Sequence, residues 1–123
     1  KNFNELLSFF RSYENLFILP RTLPEVTTNW LAFPLTIRPE APFSRLGVVR
    51  HLEKRGIQTR PLFSGNILKQ PGFQHIKARM PFRSYPVTDL ITSQGFVVGC
   101  HHGLEKKHLE YLKEVFTQFL RPF

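Results

Sequence analysis

Apolar residues recur at intervals of three and four along the first stretch of the chain: Phe3, Leu6, Leu7, Phe10, Tyr13 and Phe17. That spacing puts them on one face of a helix over residues 2–17. Asn2 and Glu5 have the spacing of a capping box, in which each side chain satisfies a free backbone N–H. Pro20 and Pro24 then stop the helix and force an extended connection. Trp30 to Ile37 is apolar on both faces and reads as a strand covered on both sides. Pro34 removes one ladder donor within it, which favours an edge position or a bulge.

After a loop bounded by Pro39 and Pro42, a helix is expected over residues 43–55. Pro42 suits its first turn, Leu46, Val49 and Leu52 form its apolar face, and Gly56 suits its end. Ile57 to Phe63 reads as a second strand. Residues 64–84 are the least regular stretch, and a loop of that length inside one domain is most often functional or disordered. Its Gly, Asn and Pro residues favour defined turns. A short helix over residues 86–94 ends at Gly95, a third strand follows over 96–98, and Gly99 to Gly103 make a tight turn. The final helix, 104–120, carries Leu109, Leu112, Phe116 and Leu120 along one face. The expected fold class is therefore α+β: one small two-layer domain, with helices packed on a three-stranded, mostly antiparallel sheet.

Composition narrows the class of protein. With 123 residues, 41% hydrophobic and 21% charged, the chain is sized for one globular domain with a true core, and wholesale disorder is excluded. Thirteen Phe stand against one Trp and three Tyr, so the core or an interface is built on phenylalanine. One cysteine, Cys100, rules out an internal disulfide and fits a reducing, cytoplasmic setting. No apolar run approaches the roughly 20 residues that a membrane span needs. The first residue is Lys1, which reads as the start of an excised piece of a longer protein.

The formal net charge of +8 is compatible with nucleic acid, an anionic surface or a phosphorylated ligand, and does not choose among them. The cations are dispersed, with no polybasic block. The alternation of basic residue, Gly and Phe that marks RNA-recognition sheets is absent, so nucleic acid is not the expected partner. Cys100, His101, His102 and the later His108 are zinc-type donors. Neighbouring residues at a strand end point to opposite sides and no CxxC pair supports them, so no metal site is expected. A Cys100–His101 catalytic pair is disfavoured because sequence neighbours seldom form the spatial pair that nucleophilic chemistry needs.

The loop from Arg60 to Pro71 is the strongest candidate for chemistry. Arg60 closes a strand, Gly65 permits close backbone approach, and Asn66 and Gln70 supply both donors and acceptors. Arg60 and Lys69 suit phosphate, Arg by a planar fork and Lys as a point charge. The alternative is a structural loop whose arginine pairs with a local carboxylate.

Residues 52–71, Leu-Glu-Lys-Arg-Gly-Ile-Gln-Thr-Arg-Pro-Leu-Phe-Ser-Gly-Asn-Ile-Leu-Lys-Gln-Pro, resemble the C-terminal domain of the DegT/DnrJ/EryC1/StrS sugar aminotransferase/dehydrase family, and most of all its nucleotide-sugar 3-dehydrases of the CDP-4-keto-6-deoxy-glucose type. The stretches 30–45 and 95–112 resemble the family's strands and closing helix, and 2–19 the end of its linking helix. The resemblance implies the small domain of a type I aminotransferase fold, with a large domain upstream holding PLP or PMP. It implies a catalytic lysine or histidine in that upstream part, and none within residues 1–123. It implies chemistry on a nucleotide-linked 4-keto-6-deoxy sugar in deoxysugar and lipopolysaccharide O-antigen synthesis, a homodimer, and for the CDP branch an iron–sulfur flavin reductase. By motif position, Arg60, Phe63, Gly65, Asn66, Gln70 and Phe73 become the expected substrate- or cofactor-binding residues. His101-His102 depart from the family pattern of an aromatic or aliphatic residue followed by Pro. Outside that resemblance the competing reading is a stand-alone basic module binding nucleic acid or another polyanion.

Overall fold

A computed structural model describes residues 1–123. It contains four α-helices and one four-stranded antiparallel sheet. The helices are α1 (Asn2–Phe10), α2 (Arg45–Glu53), α3 (Pro86–Gln94) and α4 (Lys106–Leu120). The strands are β1 (Phe17–Ile18), β2 (Ala32–Ile37), β3 (Thr59–Pro61) and β4 (Gly95–Gly99), in spatial order β1-β2-β4-β3. The α+β class and the antiparallel arrangement are as expected. The strand count is four, not three.

The missing strand lies in the segment assigned to the first helix. That helix ends at Phe10, passes through a 3₁₀ turn at Arg11–Tyr13, and gives way to β1. Phe17 pairs with Ile37 and Ile18 with Thr36, so long-range pairing overrides the helical spacing of Phe17. The capping box at Asn2 and Glu5 does not form. Asn2 Nδ2 instead donates to the carbonyls of His101 at 2.9 Å and Leu104 at 3.0 Å. Glu5 pairs with Lys113 at 2.7 Å, joining α1 to α4.

β2 and β4 form the centre of the sheet. Leu35 lies opposite Phe96 and Phe33 opposite Val98, and all four are buried. The other face of β2, Ala32, Pro34 and Thr36, is only half-buried, so the strand is not covered equally on both sides as expected. Pro34 lies in an internal strand, which corrects the edge expectation for the strand as a whole. However, β1 reaches only Thr36 and Ile37, so the Pro34 part of β2 has β4 as its one neighbour. The proline thus occupies a local edge, where its missing donor is tolerated.

Phe10 connects the helical layer to the sheet. It is fully buried, stacks on Phe33 at 5.4 Å and meets Phe116 of α4 edge-on at 4.9 Å. Phe17 approaches it edge-on at 5.8 Å. Five of the thirteen phenylalanines, Phe10, Phe17, Phe33, Phe96 and Phe116, are wholly buried, which accounts for the aromatic composition. α4 begins with a capping box between Glu105 and His108 and buries Leu109, Leu112, Val115, Phe116 and Leu120.

Several other boundaries differ from expectation. α2 starts at Arg45, because the Ser44 side chain accepts the Gly47 N–H at 3.1 Å and sets the cap there. Its buried residues are Val48 and Leu52, whereas Leu46 is mostly exposed. β3 is three residues long, not seven, because Pro61 lacks the donor that would continue the ladder with β4. α3 has the expected limits, and Gly95 lets it run straight into β4: a Cβ there would stand 2.5 Å from the Ile91 carbonyl oxygen.

Replacing Phe10 with Ala is expected to destabilise the fold by about 3–5 kcal/mol, the range for removing a buried aromatic ring and leaving a cavity. Urea denaturation of wild-type and variant chains followed by circular dichroism checks this.

Candidate functional site

β3 delivers Arg60 to the edge of the sheet. Its backbone pairs opposite Val97 and its side chain is exposed. The guanidinium donates only to the neighbouring Thr59 carbonyl, at 3.2 Å, and takes no part in the four carboxylate ion pairs of the chain. Beside it, α2 and β3 enclose an open groove of about 340 Å³. Leu46, Val49, Pro61 and Phe96 contribute its apolar lining, and Arg45, Glu53, Thr59 and Arg60 its polar lining. Glu53 Oε1 accepts the Thr59 hydroxyl at 2.7 Å, which ties the two walls together.

Beyond Pro61 the backbone turns sharply. Phe63 lies at φ +49° and Gly65 at φ +62°. Gly65 adopts this conformation freely, and a Cβ at that position would come within 2.5 Å of Thr92 Oγ1. Phe63 has no such freedom, and the left-handed backbone costs it roughly 1–2 kcal/mol. Its side chain is 94% exposed, so no burial offsets that cost.

Asn66 is buried, and its polar groups are committed to α3 and to the loop itself. Its backbone N–H donates to Thr92 Oγ1 at 2.6 Å and its Nδ2 to Asp89 Oδ1 at 2.7 Å. Its Oδ1 accepts the Leu68 N–H at 3.1 Å, opening a 3₁₀ turn over Ile67–Lys69. Lys69 Nζ pairs with Asp89 Oδ2 at 2.7 Å. Gln70 Nε2 reaches back to the Ser64 carbonyl at 2.7 Å, just before a second 3₁₀ turn, Pro71–Phe73. The loop motif therefore divides. Arg60, Phe63 and Phe73 present exposed side chains, while Gly65, Asn66 and Gln70, with Lys69, shape the turn.

Three residues missed by sequence reasoning complete the arrangement. Asp89 and Thr92 of α3 receive the loop, and Arg45 Nη1 donates to the carbonyls of Thr92 at 3.0 Å and Gly95 at 3.1 Å. Arg45 had one legible signal: a cation in the first turn of a helix opposes the helix dipole, so it serves something outside that helix. Asp89 had none, because an acidic residue in the first turn of a helix is ordinary. Hydrogen bonds from Lys69 first and Asn66 second hold the Asp89 carboxyl below its ordinary pKa of 3.8.

The histidine–cysteine stretch is engaged otherwise. No three His, Cys, Asp or Glu side chains converge in the structure. His101 Nδ1 accepts the Gly103 N–H at 3.2 Å, and His108 Nδ1 the Glu105 N–H at 3.0 Å. Cys100 is buried with its Sγ 3.5 Å from the Trp30 carbonyl, and burial pushes its pKa up to about 11. It is a protonated thiol at neutral pH, the wrong state for a nucleophile. No helix is long and apolar enough to cross a membrane.

The family model for the DegT/DnrJ/EryC1/StrS aminotransferases matches residues 3–117. The chain belongs to this family. Over 96% of its length it is 32% identical to the lipopolysaccharide biosynthesis protein RfbH of Salmonella typhimurium, and covers 27% of that protein. It is 33% identical over 84% of its length to a dTDP-4-dehydro-2,6-dideoxy-D-glucose 3-dehydratase of Saccharopolyspora spinosa, of which it covers 22%. The chain thus spans about a quarter of the length of these relatives. In structure it resembles Escherichia coli GDP-4-keto-6-deoxy-D-mannose-3-dehydratase, crystallised with hydrated PLP: TM-score 0.76 at 20% identity, over 93% of this chain and 29% of the other. A DegT/DnrJ/EryC1/StrS aminotransferase from Brucella abortus matches with TM-score 0.73 at 14% identity, over 96% of this chain and 30% of the other. The aminotransferase-type fold expected for this piece is therefore shown.

A pyridoxal phosphate site calls for a lysine at the cofactor's reactive carbon, a partner for its ring nitrogen and groups for its phosphate. The groove is lined by no lysine or histidine, and its one carboxylate, Glu53, is held by Thr59. The residues present do not make a pyridoxal phosphate site, and no cofactor step is assigned to them.

Gly65→Ala is expected to lose roughly 1–2 kcal/mol from backbone strain alone, with the Thr92 clash in addition. Faster amide exchange confined to residues 63–70 is the expected readout. The Asp89 contacts should also respond to pH in a defined direction. Because the folded-state pKa is lowered, their contribution is present above 3.8 and is lost only as the pH falls below that value. Amide protection of Asn66 and Leu68 should hold from pH 7 down to about 3.8 and fail at lower pH.

Proposed function

We propose that these residues are the C-terminal small domain of a PLP- or PMP-dependent nucleotide-sugar 3-dehydrase or aminotransferase of deoxysugar and lipopolysaccharide synthesis. The observation that carries this reading is the family match over nearly the whole chain, together with the span of only about a quarter of each relative. On this reading a large domain completes the site, and the piece is inactive alone. The full-length enzyme works as a homodimer in the cytoplasm, on a nucleotide-linked 4-keto-6-deoxy sugar. The CDP branch draws electrons from an iron–sulfur flavin reductase. The cofactor supplies the electron sink, and the protein supplies binding and orientation.

Each exposed loop residue has a place in this scheme. Arg60, without a carboxylate partner, takes a phosphate oxygen pair or a sugar hydroxyl through its fork of N–H groups. Phe63 and Phe73 wall the pocket and exclude water from the sugar. Gly65, Asn66 and Gln70 contribute through the shape of the turn.

Full-length protein loaded with PLP should bind at least one of CDP-4-keto-6-deoxy-D-glucose, GDP-4-keto-6-deoxy-D-mannose and dTDP-4-keto-6-deoxy-D-glucose. Residues 1–123 alone should bind none appreciably. Arg60→Ala should weaken binding about tenfold or more, the worth of a hydrogen bond to a charged group, and Arg60→Lys should recover only part of it. Calorimetric titration measures all of these. Turnover by residues 1–123 would overturn the incomplete-site reading. No sugar-nucleotide binding, with steeply salt-dependent binding of nucleic acid instead, would favour the polyanion module.

A further inference from the structure

Asp89 and Thr92 stand three residues apart on α3, so they share one helix face. Both are spent on a single short loop. Asp89 divides its two oxygens between Asn66 Nδ2 and Lys69 Nζ, each at 2.7 Å. Thr92 Oγ1 accepts the Asn66 N–H at 2.6 Å and donates its own O–H to the Thr88 carbonyl at 2.7 Å. The Thr92 side chain also fills the space that a Cβ on Gly65 would need. These contacts cross 23, 20 and 26 residues of sequence, so α3 holds the loop in addition to its local turn bonds. Arg45 fastens the same end of α3 to α2, which is one wall of the Arg60 groove.

The loop held in this way contributes almost nothing to the core. Phe63 is 94% exposed, and Ile67 and Phe73 are each 44% exposed. Charge-assisted hydrogen bonds thus maintain a strained, outward-facing turn that adds no side chain to the apolar core. Strain that the surroundings over-determine is a mark of functional segments.

We infer that Asp89 is a positioning residue. By holding Asn66 and Lys69 it fixes the turn that presents Phe63 next to Arg60, and so sets the affinity for the nucleotide sugar without touching it. This rests on the functional reading above, in which the loop faces substrate. The side chain works as an acceptor at two oxygens, so Asp89→Asn keeps the acceptor for Asn66 and loses the pairing with Lys69.

The test uses the full-length, PLP-loaded protein and the same three nucleotide sugars. Asp89→Ala should raise KM about tenfold for whichever sugar the wild type turns over, with kcat changed by less than about twofold, because uniform binding is what is lost. Asp89→Asn should recover part of the loss, and it carries the test alone if Asp89→Ala does not fold. Amide exchange over residues 63–70 should accelerate in Asp89→Ala, while α4 keeps its protection. Accelerated loop exchange with a wild-type KM would overturn the inference. So would an unchanged KM with a lower apparent kcat, since that is the signature of less folded enzyme. A wild type that binds none of the three sugars would overturn the functional reading and this inference with it. That failure shows in the wild type, before any substitution is compared.

Discussion

The pairs Phe33–Val98 and Leu35–Phe96 place four large apolar side chains on one face of β2 and β4, and Phe10 descends onto Phe33 from α1. This contact between layers carries the rest of the domain. α4 is located by Phe116 against Phe10, and β1 by Phe17 against the same ring. Aromatic rings suit the task because each fills a large volume with few rotatable bonds and adds a favourable edge-on geometry. Once β4 is fixed, so is α3, which runs into it through Gly95, and β3, which pairs along its far side.

A second, polar network is built on that frame. Arg45 joins α2 to the end of α3, Glu53 joins α2 to β3 through Thr59, and Asp89 and Thr92 hold the loop that leaves β3. No buried side-chain donor or acceptor is left without a partner. At the groove, Arg60 is exposed and takes part in no ion pair. Beside the groove the chain presents a cation, Arg60, and two aromatic residues, Phe63 and Phe73, with exposed side chains.

Much of this was legible in the chain. The Gly95 stop signal located the end of α3, and periodicity located α4 to within two residues through its regular apolar face. The Arg60–Pro71 motif was recognisable as the distinctive stretch, and the family match over residues 3–117 agrees with it. Less legible was the division of labour inside the motif. Asn66 and Gln70 have the chemistry of ligand-binding residues, yet they spend their amides on Asp89, Leu68 and Ser64. Composition reports what a side chain can donate or accept, but not which neighbour is nearest.

Local information determined the helices, the aromatic core and the family, because spacing, turn residues and motif are properties of adjacent positions. Tertiary structure alone decided β1, the inward turn of Leu52 and Val48 in place of Leu46, the use of Asn2 to cap another segment, and the support of the loop by Asp89. These depend on partners far along the chain, as with the 20 residues between Lys69 and Asp89 and the 99 between Asn2 and His101. The free energy of those pairings comes from desolvation and hydrogen bonding in the assembled fold, and no window of neighbouring residues contains it.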